Sequence, residues 1–285
     1  MKSELLTNRL MLLAAALLFS TGGAAIKASS LTSWQIAGFR SGVAAAALYF
    51  ALPSARTRWT WQIWAVGTAY AATMILFVAA NKLTTSASAI FLQDTAPLYL
   101  LLLGPLVLRE RIRRVDIAVI AAVAIGAVLL LFGTSIAGTS AAVTAPDPGR
   151  GNIIALTAGL TWALTLTGLR WAANLSNAPL VTGNVIAFLA CLPPALPVTR
   201  ANGVDVAVVL YLGLFQIALA YIFLTRSLRQ VPALEAATLL LVEPVFNPVW
   251  TWIVHGERPG ATALGGGFII VMAAFGGTVW RIKDS

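Results

Sequence analysis

Ten long apolar stretches separated by short polar breaks run along the whole chain. Each is long enough to be a membrane-spanning helix, since an α-helix needs ~20 residues to cross the hydrocarbon of a bilayer, and each is too long for the strand of a membrane barrel. The breaks leave no room for a separate soluble domain. The pattern predicts ten helical spans, at residues 9–27 (span 1), 33–52 (span 2), 61–81 (span 3), 86–108 (span 4), 115–134 (span 5), 152–171 (span 6), 178–198 (span 7), 206–225 (span 8), 231–254 (span 9) and 261–280 (span 10).

The composition excludes a water-soluble or a disordered chain. Of the 285 residues, 59% are hydrophobic and 10% are charged. A soluble domain has about half apolar and about a quarter charged residues, and a disordered chain is more polar still. Lys2 and Arg9 before an apolar run resemble a secretory signal peptide. We nevertheless interpret span 1 as part of the folded protein, because a later span repeats its pattern.

The net charge of +9 would suggest a nucleic-acid partner in a soluble protein. In a membrane protein, however, Lys and Arg collect in cytoplasmic loops. With the N-terminus inside, 13 of them fall on the cytoplasmic side and 5 on the other. We therefore predict a multi-pass protein of the cell inner (cytoplasmic) membrane with both termini in the cytoplasm, and no nucleic-acid partner. Since the chain has one Cys and one His, we expect neither a disulfide nor a metal site, and no cofactor.

The second half of the chain repeats the first. Shifts of 147 and 143 residues align spans 1–5 with spans 6–10, so we predict two repeats, at residues 1–140 and 141–285. Because five is an odd number, the second repeat enters the membrane from the opposite side. Inverted repeats of this kind are typical of secondary transporters, whose substrate site lies near the midplane between the halves. The aligned pairs include Pro97 with Pro244, Glu110 with Glu257, Phe19 with Trp162, and Lys27 with Arg170.

The ten-span layout, the proline-to-Glu-Arg pattern shared by spans 4 and 9, and the Trp of span 6 resemble the drug/metabolite transporter superfamily. Within it the chain is most similar to the EamA-type transporters and to the bacterial YddG-like amino-acid exporters. The resemblance covers the whole chain, although Arg109 stands where many members have Gly. It implies an all-α integral membrane protein, with ten transmembrane helices in two inverted five-helix repeats around a central cavity lined by spans 1, 3, 4, 6, 8 and 9.

The resemblance also implies a function. We expect a secondary transporter that exports amino acids, aromatic ones favoured, or similar small metabolites by alternating access. A multidrug, cationic-compound or nucleotide-sugar transporter of the same fold is the alternative, and a non-transporting receptor or scaffold is the alternative of another class. No ATP-binding motif and no nucleophile–base set occur in the sequence, so we do not expect an enzyme. The expected partners are a small-molecule substrate and the lipid bilayer; we expect a monomer and leave a homodimer open.

Polar residues at bilayer depth are costly and usually face a cavity or the bundle interior. Span 4 has Gln93 and Asp94, and span 9 has Glu243 and Asn247, all close to prolines that open the backbone. An acid beside an opened turn is suited to bind a substrate amine or a proton. We predict that these four residues contact substrate; the alternative is that the two acids are structural latches.

Aromatic residues provide the second candidate contacts. Phe19, Tyr70, Tyr99, Trp162 and Tyr221 lie on spans that the resemblance places around the cavity. Their rings would stack on an aromatic substrate or surround an ammonium group. Core packing is the alternative for each of them. Trp162 is the strongest candidate, because it belongs to the pattern that resembles the family.

Arg40 is the basic residue that lies deep in a span. It would hold a substrate carboxylate, pair with Asp94 or Glu243, or extend to the membrane interface. We favour a structural ion pair. Prolines and glycines inside spans also predict hinges, with tight helix packing as the alternative. The predicted hinge residues are Gly22, Gly23, Pro97, Gly104, Pro105, Pro244 and Pro248.

Overall fold

The computed structural model describes residues 2–57, 60–108, 114–133, 144–171, 177–227, 231 and 239–283. All regular structure in these residues is helical. Apart from the short 3-10 helix Pro53–Ala55 between spans 2 and 3, it corresponds to the ten predicted spans. The first repeat comprises Lys2–Ser20 and Gly22–Ala28 (span 1), Ser33–Ala51 (span 2), Trp61–Leu83 (span 3), Ser86–Gln93, Ala96–Leu103 and the π-helical Gly104–Leu108 (span 4), and Arg114–Gly133 (span 5). The second comprises Pro148–Trp171 (span 6), Ala178–Ala195 (span 7), Gly203–Tyr211, the π-helical Leu212–Leu219 and Ala220–Ser227 (span 8), Val242–His255 (span 9) and Ala261–Lys283 (span 10).

The length and surface of these helices suit a membrane. Five segments of the described chain are long and apolar enough to cross a bilayer: Glu4–Ala28, Trp61–Leu83, Pro148–Leu169, Ala178–Ala195 and Gly203–Ser227. Span 4 falls short because it is interrupted, and span 2 carries the polar Gln35 and Arg40. Large apolar side chains are exposed on the outside of the bundle, among them Phe50 at 73% and Leu106 at 79%. Such a surface is stable against lipid tails and unfavourable in water.

The two repeats pack on each other with two-fold symmetry. Span 3 packs on span 6, and span 1 packs on span 8. These two contacts are equivalent, because exchanging the repeats turns one into the other. Span 2 packs on span 7 and span 5 on span 10, so each of these pairs joins equivalent spans of the two repeats. Lys27 near the end of span 1 and Asn152 near the start of span 6 both bond Thr84, which follows span 3. Span 6 therefore begins where its counterpart, span 1, ends. The predicted inverted topology is confirmed.

Small residues permit the close contact of spans 5 and 10. A Cβ atom on Gly126 would lie 2.6 Å from the carbonyl oxygen of Gly266, and one on Gly266 would lie 2.7 Å from that of Gly126. In lipid, helices associate through this kind of close backbone approach, since no hydrophobic effect drives them together. The symmetric pair holds the last spans of the two repeats against each other.

One end of the bundle, which we call the Lys27 end, is joined by buried polar contacts between spans of both repeats. Lys27 forms a 3.0 Å ion pair with Glu257 directly after span 9, and the two side chains are 5% and 2% exposed. The Oε1 atom of Glu257 also accepts a 2.7 Å hydrogen bond from the backbone N–H of Ser86, the first residue of span 4. Asp205 in span 8 accepts a 2.7 Å bond from the Ser29 hydroxyl. The Lys27 end is therefore closed.

Candidate functional site

Three spans are interrupted within the membrane, at Thr21 in span 1, at Asp94–Thr95 in span 4 and at Leu241 ahead of the main helix of span 9. The φ and ψ angles are −74° and −10° at Thr21, −71° and 3° at Asp94, and −63° and −9° at Leu241. Leu241 is the residue that the 147-residue shift places on Asp94. The two repeats thus break at equivalent positions and with nearly the same backbone conformation.

The residues that follow each break explain it. Pro97 is the second residue of Ala96–Leu103, and Pro244 is the third residue of Val242–His255. Proline lacks the N–H needed for a helical hydrogen bond, and its ring crowds the preceding turn. In span 1 the break is followed by Gly22 and Gly23, a pair that also weakens a helix. The breaks lie beside four of the residues predicted as hinges, and hinge motion itself stays a prediction.

The other predicted hinges are placed differently. Gly104 and Pro105 begin the π-helical segment that ends span 4. Pro248 is buried inside the helix Val242–His255. Gly22 and Gly23 are themselves packed tightly, because a Cβ on Gly23 would lie 2.5 Å from the Ser86 hydroxyl. The glycines therefore serve close helix packing as well as the break.

Buried polar atoms without a hydrogen-bond partner lie at the breaks in spans 4 and 9. At these two breaks the atoms are Oδ2 of Asp94, Oε1 of Gln93, and both Oδ1 and Nδ2 of Asn247; others in the described chain are mostly single hydroxyl oxygens elsewhere in the bundle. Asn247 is completely buried. Since nearly all buried polar groups in proteins are paired, these are the atoms that a polar ligand would satisfy. Three of the four acidic and amide residues predicted to bind substrate, all except Glu243, therefore have unpaired buried atoms.

Three of the predicted aromatic residues meet in one buried cluster, which we call the ring cluster. The rings of Phe19 and Tyr221 are 5.1 Å apart and those of Tyr70 and Tyr221 are 5.6 Å apart, both edge to face. The Tyr70 hydroxyl accepts a 3.3 Å hydrogen bond from Asn184 in span 7. Glu243 lies within electrostatic range of both Tyr221 and Asp94. The structure therefore brings the acids of both repeats toward the ring cluster.

Tyr99 and Trp162 lie outside the ring cluster. The Tyr99 hydroxyl donates a 3.2 Å hydrogen bond to the carbonyl of Leu156, which joins spans 4 and 6. Trp162 is half-buried in span 6. The adjacent Thr161 hydroxyl accepts a 3.0 Å bond from Thr73 in span 3. The strongest aromatic candidate of the sequence thus does not share the described ring contacts of the other three.

Arg40 is 1% exposed and bonds neutral groups. It donates to Oε1 of Gln216 at 3.3 Å and to the carbonyl of Met74 at 3.0 Å. No carboxylate of the described residues lies within the 4.0 Å of an ion pair with it. The ion pair predicted with Asp94 or Glu243 is therefore absent, because the guanidinium is turned toward spans 3 and 8 instead.

Two functional features were missed in the sequence. Gln216 and Asn184 are polar residues within apolar spans, the same signal that identified Asp94, but only the charged groups and the residues next to prolines were considered. Lys27 lies at the end of span 1, where a basic residue is typical of a loop. Its alignment with Arg170 in the repeat does not indicate that Glu257 is its partner. Only the packing of span 1 against span 9 brings these two together.

A groove of about 500 Å³ opens between spans 2 and 7. Its lining is apolar, so it provides no partner for a charged substrate, and it is distinct from the polar atoms at the breaks. The lining residues are Phe39, Gly42, Val43, Ala45, Val185 and Phe188.

Comparison with known proteins decides the family. The model of the EamA-like transporter family matches residues 8–132 and again residues 149–278. The chain belongs to the EamA-like transporter family. A solved crystal structure with 21% sequence identity covers 98% of this chain and 99% of its own chain, with a TM-score of 0.66. At this identity the likeness shows the fold alone. No curated protein matches the chain.

Membership of the family makes this EamA-like protein a multi-pass membrane transporter of small solutes. The polar atoms at its helix breaks are accordingly a candidate solute site. In the described part of the chain, no group of three or more His, Cys, Asp and Glu residues is placed to hold a metal ion.

Proposed function

We propose that this EamA-like protein is a secondary transporter that exports amino acids, aromatic ones favoured, or similar small metabolites across the cytoplasmic membrane by alternating access. The observation that carries the proposal is the set of helix breaks in spans 1, 4 and 9. Polar atoms are buried without a described partner in spans 4 and 9, and Glu243 after the break in span 9 interacts with Tyr221 of the ring cluster. Secondary transporters build their sites from interrupted helices at the interface of inverted repeats.

The chemistry of these residues suits an amphipathic amine. Asp94 and Glu243 offer carboxylates for an ammonium group, and both lie at or directly after a break. Phe19 and Tyr221 offer ring edges and faces to an aromatic side chain, in the edge-to-face geometry that they already adopt with each other. Asn247 and Gln93 contribute further hydrogen-bonding atoms. An aromatic amino acid would use all three kinds of contact.

The inverted repeats support alternating access, because exchanging the conformations of two equivalent halves opens the opposite side of the membrane. In this proposal both termini are cytoplasmic, as the distribution of Lys and Arg predicts. The working unit is a monomer, with a homodimer as the alternative. Transport is either facilitated diffusion or exchange with protons at Asp94 or Glu243.

Transport by the purified protein tests the proposal. The full chain is reconstituted into liposomes, and uptake is measured for labelled amino acids, cationic dyes, drugs and nucleotide sugars. We expect the fastest flux for aromatic amino acids, with flux above that of protein-free vesicles. Faster flux of a dye, a drug or a nucleotide sugar would assign the other substrate class, and no flux for any compound would favour a receptor or scaffold.

A further inference from the structure

Arg40 lies deep in the membrane. It is the eighth residue of the 19-residue helix Ser33–Ala51, about 10 Å from the first residue at 1.5 Å per residue. Its side chain is 1% exposed and its hydrogen bonds run to spans 3 and 8. It therefore does not extend along the helix to the lipid headgroups.

Among the residues that the structure describes, the guanidinium of Arg40 has no counter-charge. Its two described hydrogen bonds are to neutral oxygens, and its Nε atom is buried without a partner. The titratable side chains that face it are Tyr70, Tyr221 and Cys191, which are neutral at pH 7. A guanidinium stays charged in every protein environment, and an unpaired buried charge is strongly unfavourable. Within the described residues, this part of the protein is therefore one anion short.

The ring cluster connects this cation to Glu243. Tyr70 and Tyr221 are within electrostatic range of Arg40, and Tyr221 is also within range of Glu243. A positive group, a set of aromatic rings and a negative group thus follow one another across spans 2, 8 and 9. The same three features, with opposite charges, occur in a zwitterionic aromatic amino acid.

We infer that Arg40 binds the carboxylate of an α-amino-acid substrate. This inference rests on the proposed function. It assigns a binding residue to the carboxylate of the substrate, whereas the acids bind its ammonium group. The planar guanidinium is suited to a bidentate contact with a carboxylate. Gln216 positions the guanidinium through its 3.3 Å bond to Nη1 of Arg40. Asp94 and Glu243 bind the ammonium group of the same molecule.

The burial of Arg40 makes its accessibility dependent on conformation. Gln216 packs against the break in span 1, since a Cβ on Gly22 would lie 3.0 Å from its Nε2 atom. A movement of span 1 at Thr21 would therefore displace Gln216 and open the path to Arg40. Substrate reaches the guanidinium in the state in which these spans have separated.

Analogues that keep one charged group each provide the test. In liposomes, KM is measured for labelled phenylalanine, and inhibition constants are measured for phenylacetate, which has only the carboxylate, and for phenylethylamine, which has only the ammonium. In Arg40→Gln we expect KM for phenylalanine to rise at least tenfold and inhibition by phenylacetate to disappear, while the inhibition constant of phenylethylamine stays within twofold. In Asp94→Asn we expect the reverse selectivity.

Arg56→Gln is the matched control, because Arg56 is exposed and bonds the carbonyls of Tyr49 and Phe50. It should leave all three constants unchanged. Equal weakening of both analogues by Arg40→Gln, or no change in either, would overturn the inference and leave the proposed function standing. If Arg40→Gln does not fold, Arg40→Lys replaces it: a higher KM for phenylalanine with unchanged phenylethylamine inhibition supports the inference, and an unchanged KM overturns it. Failure of the unaltered protein to transport any amino acid would contradict the proposed function itself.

Discussion

Asp94 in the first repeat and Asn247 in the second hold buried polar atoms that no neighbour among the described residues satisfies. A buried polar group left unpaired costs about 1–3 kcal/mol of stability. Similar atoms occur at Gln93 and Arg40, and single ones occur on other side chains of the described bundle, most of them hydroxyls. Such groups are retained within membranes mainly where substrates or ions bind. The candidate site is therefore recognised by unpaired acidic and amide atoms that lie beside helix breaks, and the unpaired hydroxyls elsewhere do not share this position.

Asp94→Asn tests the part of this site that carries a charge. We expect flux of an aromatic amino acid to fall at least tenfold, because the amide keeps the shape of the side chain but removes the charge that binds the ammonium. Folding should be unaffected, since Oδ2 of Asp94 has no partner to lose. Liposome flux and the unfolding temperature in detergent are compared with those of Asp147→Asn, whose Asp147 pairs with the exposed Arg150. Normal flux in Asp94→Asn would make Asp94 a structural residue.

Gly23→Ala tests the close packing beside the break in span 1. The added Cβ would lie 2.5 Å from the Ser86 hydroxyl and 2.7 Å from Oδ1 of Asn247, so spans 1, 4 and 9 would be pushed apart. We expect the free energy of unfolding to fall by about 1–3 kcal/mol, the usual effect of overpacking. Gly265→Ala, where the Cβ meets no atom within 4 Å, is the control and should not lower the unfolding temperature. Equal unfolding temperatures for the two variants would contradict the described packing.

Among the helices, the interrupted backbone of span 4 is covered by close packing against span 6. At the break in span 4, Pro97 has no N–H to bond the Gln93 carbonyl as in a continuous helix. The Leu92 carbonyl accepts from the N–H and the hydroxyl of Thr95, and Gly159 of span 6 packs closely on both carbonyls. A Cβ on Gly159 would lie 2.9 Å from the Gln93 carbonyl oxygen and 3.1 Å from that of Leu92. Interrupted backbone is tolerated at membrane depth only where protein or a cavity surrounds it. The contact with span 6 provides this cover on one side.

Pro97→Ala would restore an N–H one turn after Gln93 and permit span 4 to continue as a helix. We expect a several-fold loss of amino-acid flux, with an unfolding temperature equal to or above that of the unaltered protein. Liposome transport and thermal unfolding measure the two effects. Pro148→Ala is the control, because Pro148 begins span 6, where the missing N–H is not needed. Full flux in Pro97→Ala would show that the break in span 4 is not required for transport.

At the scale of the whole molecule, the two repeats are joined at the Lys27 end. The ion pair of Lys27 and Glu257 links span 1 of the first repeat to span 9 of the second, and the bond from Ser86 adds the start of span 4. If transport alternates between the two sides, these spans must separate at the Lys27 end during each cycle. The ion pair would then break and reform.

Cross-linking tests this separation. In a Cys191→Ala background, the pair Lys27→Cys and Glu257→Cys is linked with a short, reducible bifunctional thiol reagent. We expect the cross-link to reduce flux at least tenfold, because the closed end can no longer open. A reducing agent that cleaves the cross-link should restore the flux. Each single cysteine variant treated with the same reagent is the control. Flux that continues through the cross-linked protein would show that this end stays closed throughout the cycle.

The membrane fold, the ten spans and the inverted repeat are predictable from the sequence. Hydrophobicity over ~20 residues is a local property, so it identifies a span without knowledge of its neighbours. The breaks were also predictable, because Pro97, Pro244 and the Gly22–Gly23 pair act on their own backbone within a turn. The residues of spans 4 and 9 that lie at these breaks could be named for the same reason.

Which side chains meet depends on how the spans pack, and the sequence does not predict it. Arg40 bonds Gln216 and Met74 and no acid of the described residues, and Lys27 has Glu257 as its partner across more than two hundred residues of chain. Phe19, Tyr70 and Tyr221 form one cluster, from which Trp162 is separate. In lipid, every face of these spans is nearly equally apolar, so the hydrophobic pattern does not indicate which face turns inward. The inward face is set by close packing between spans, which depends on the shapes of both helices.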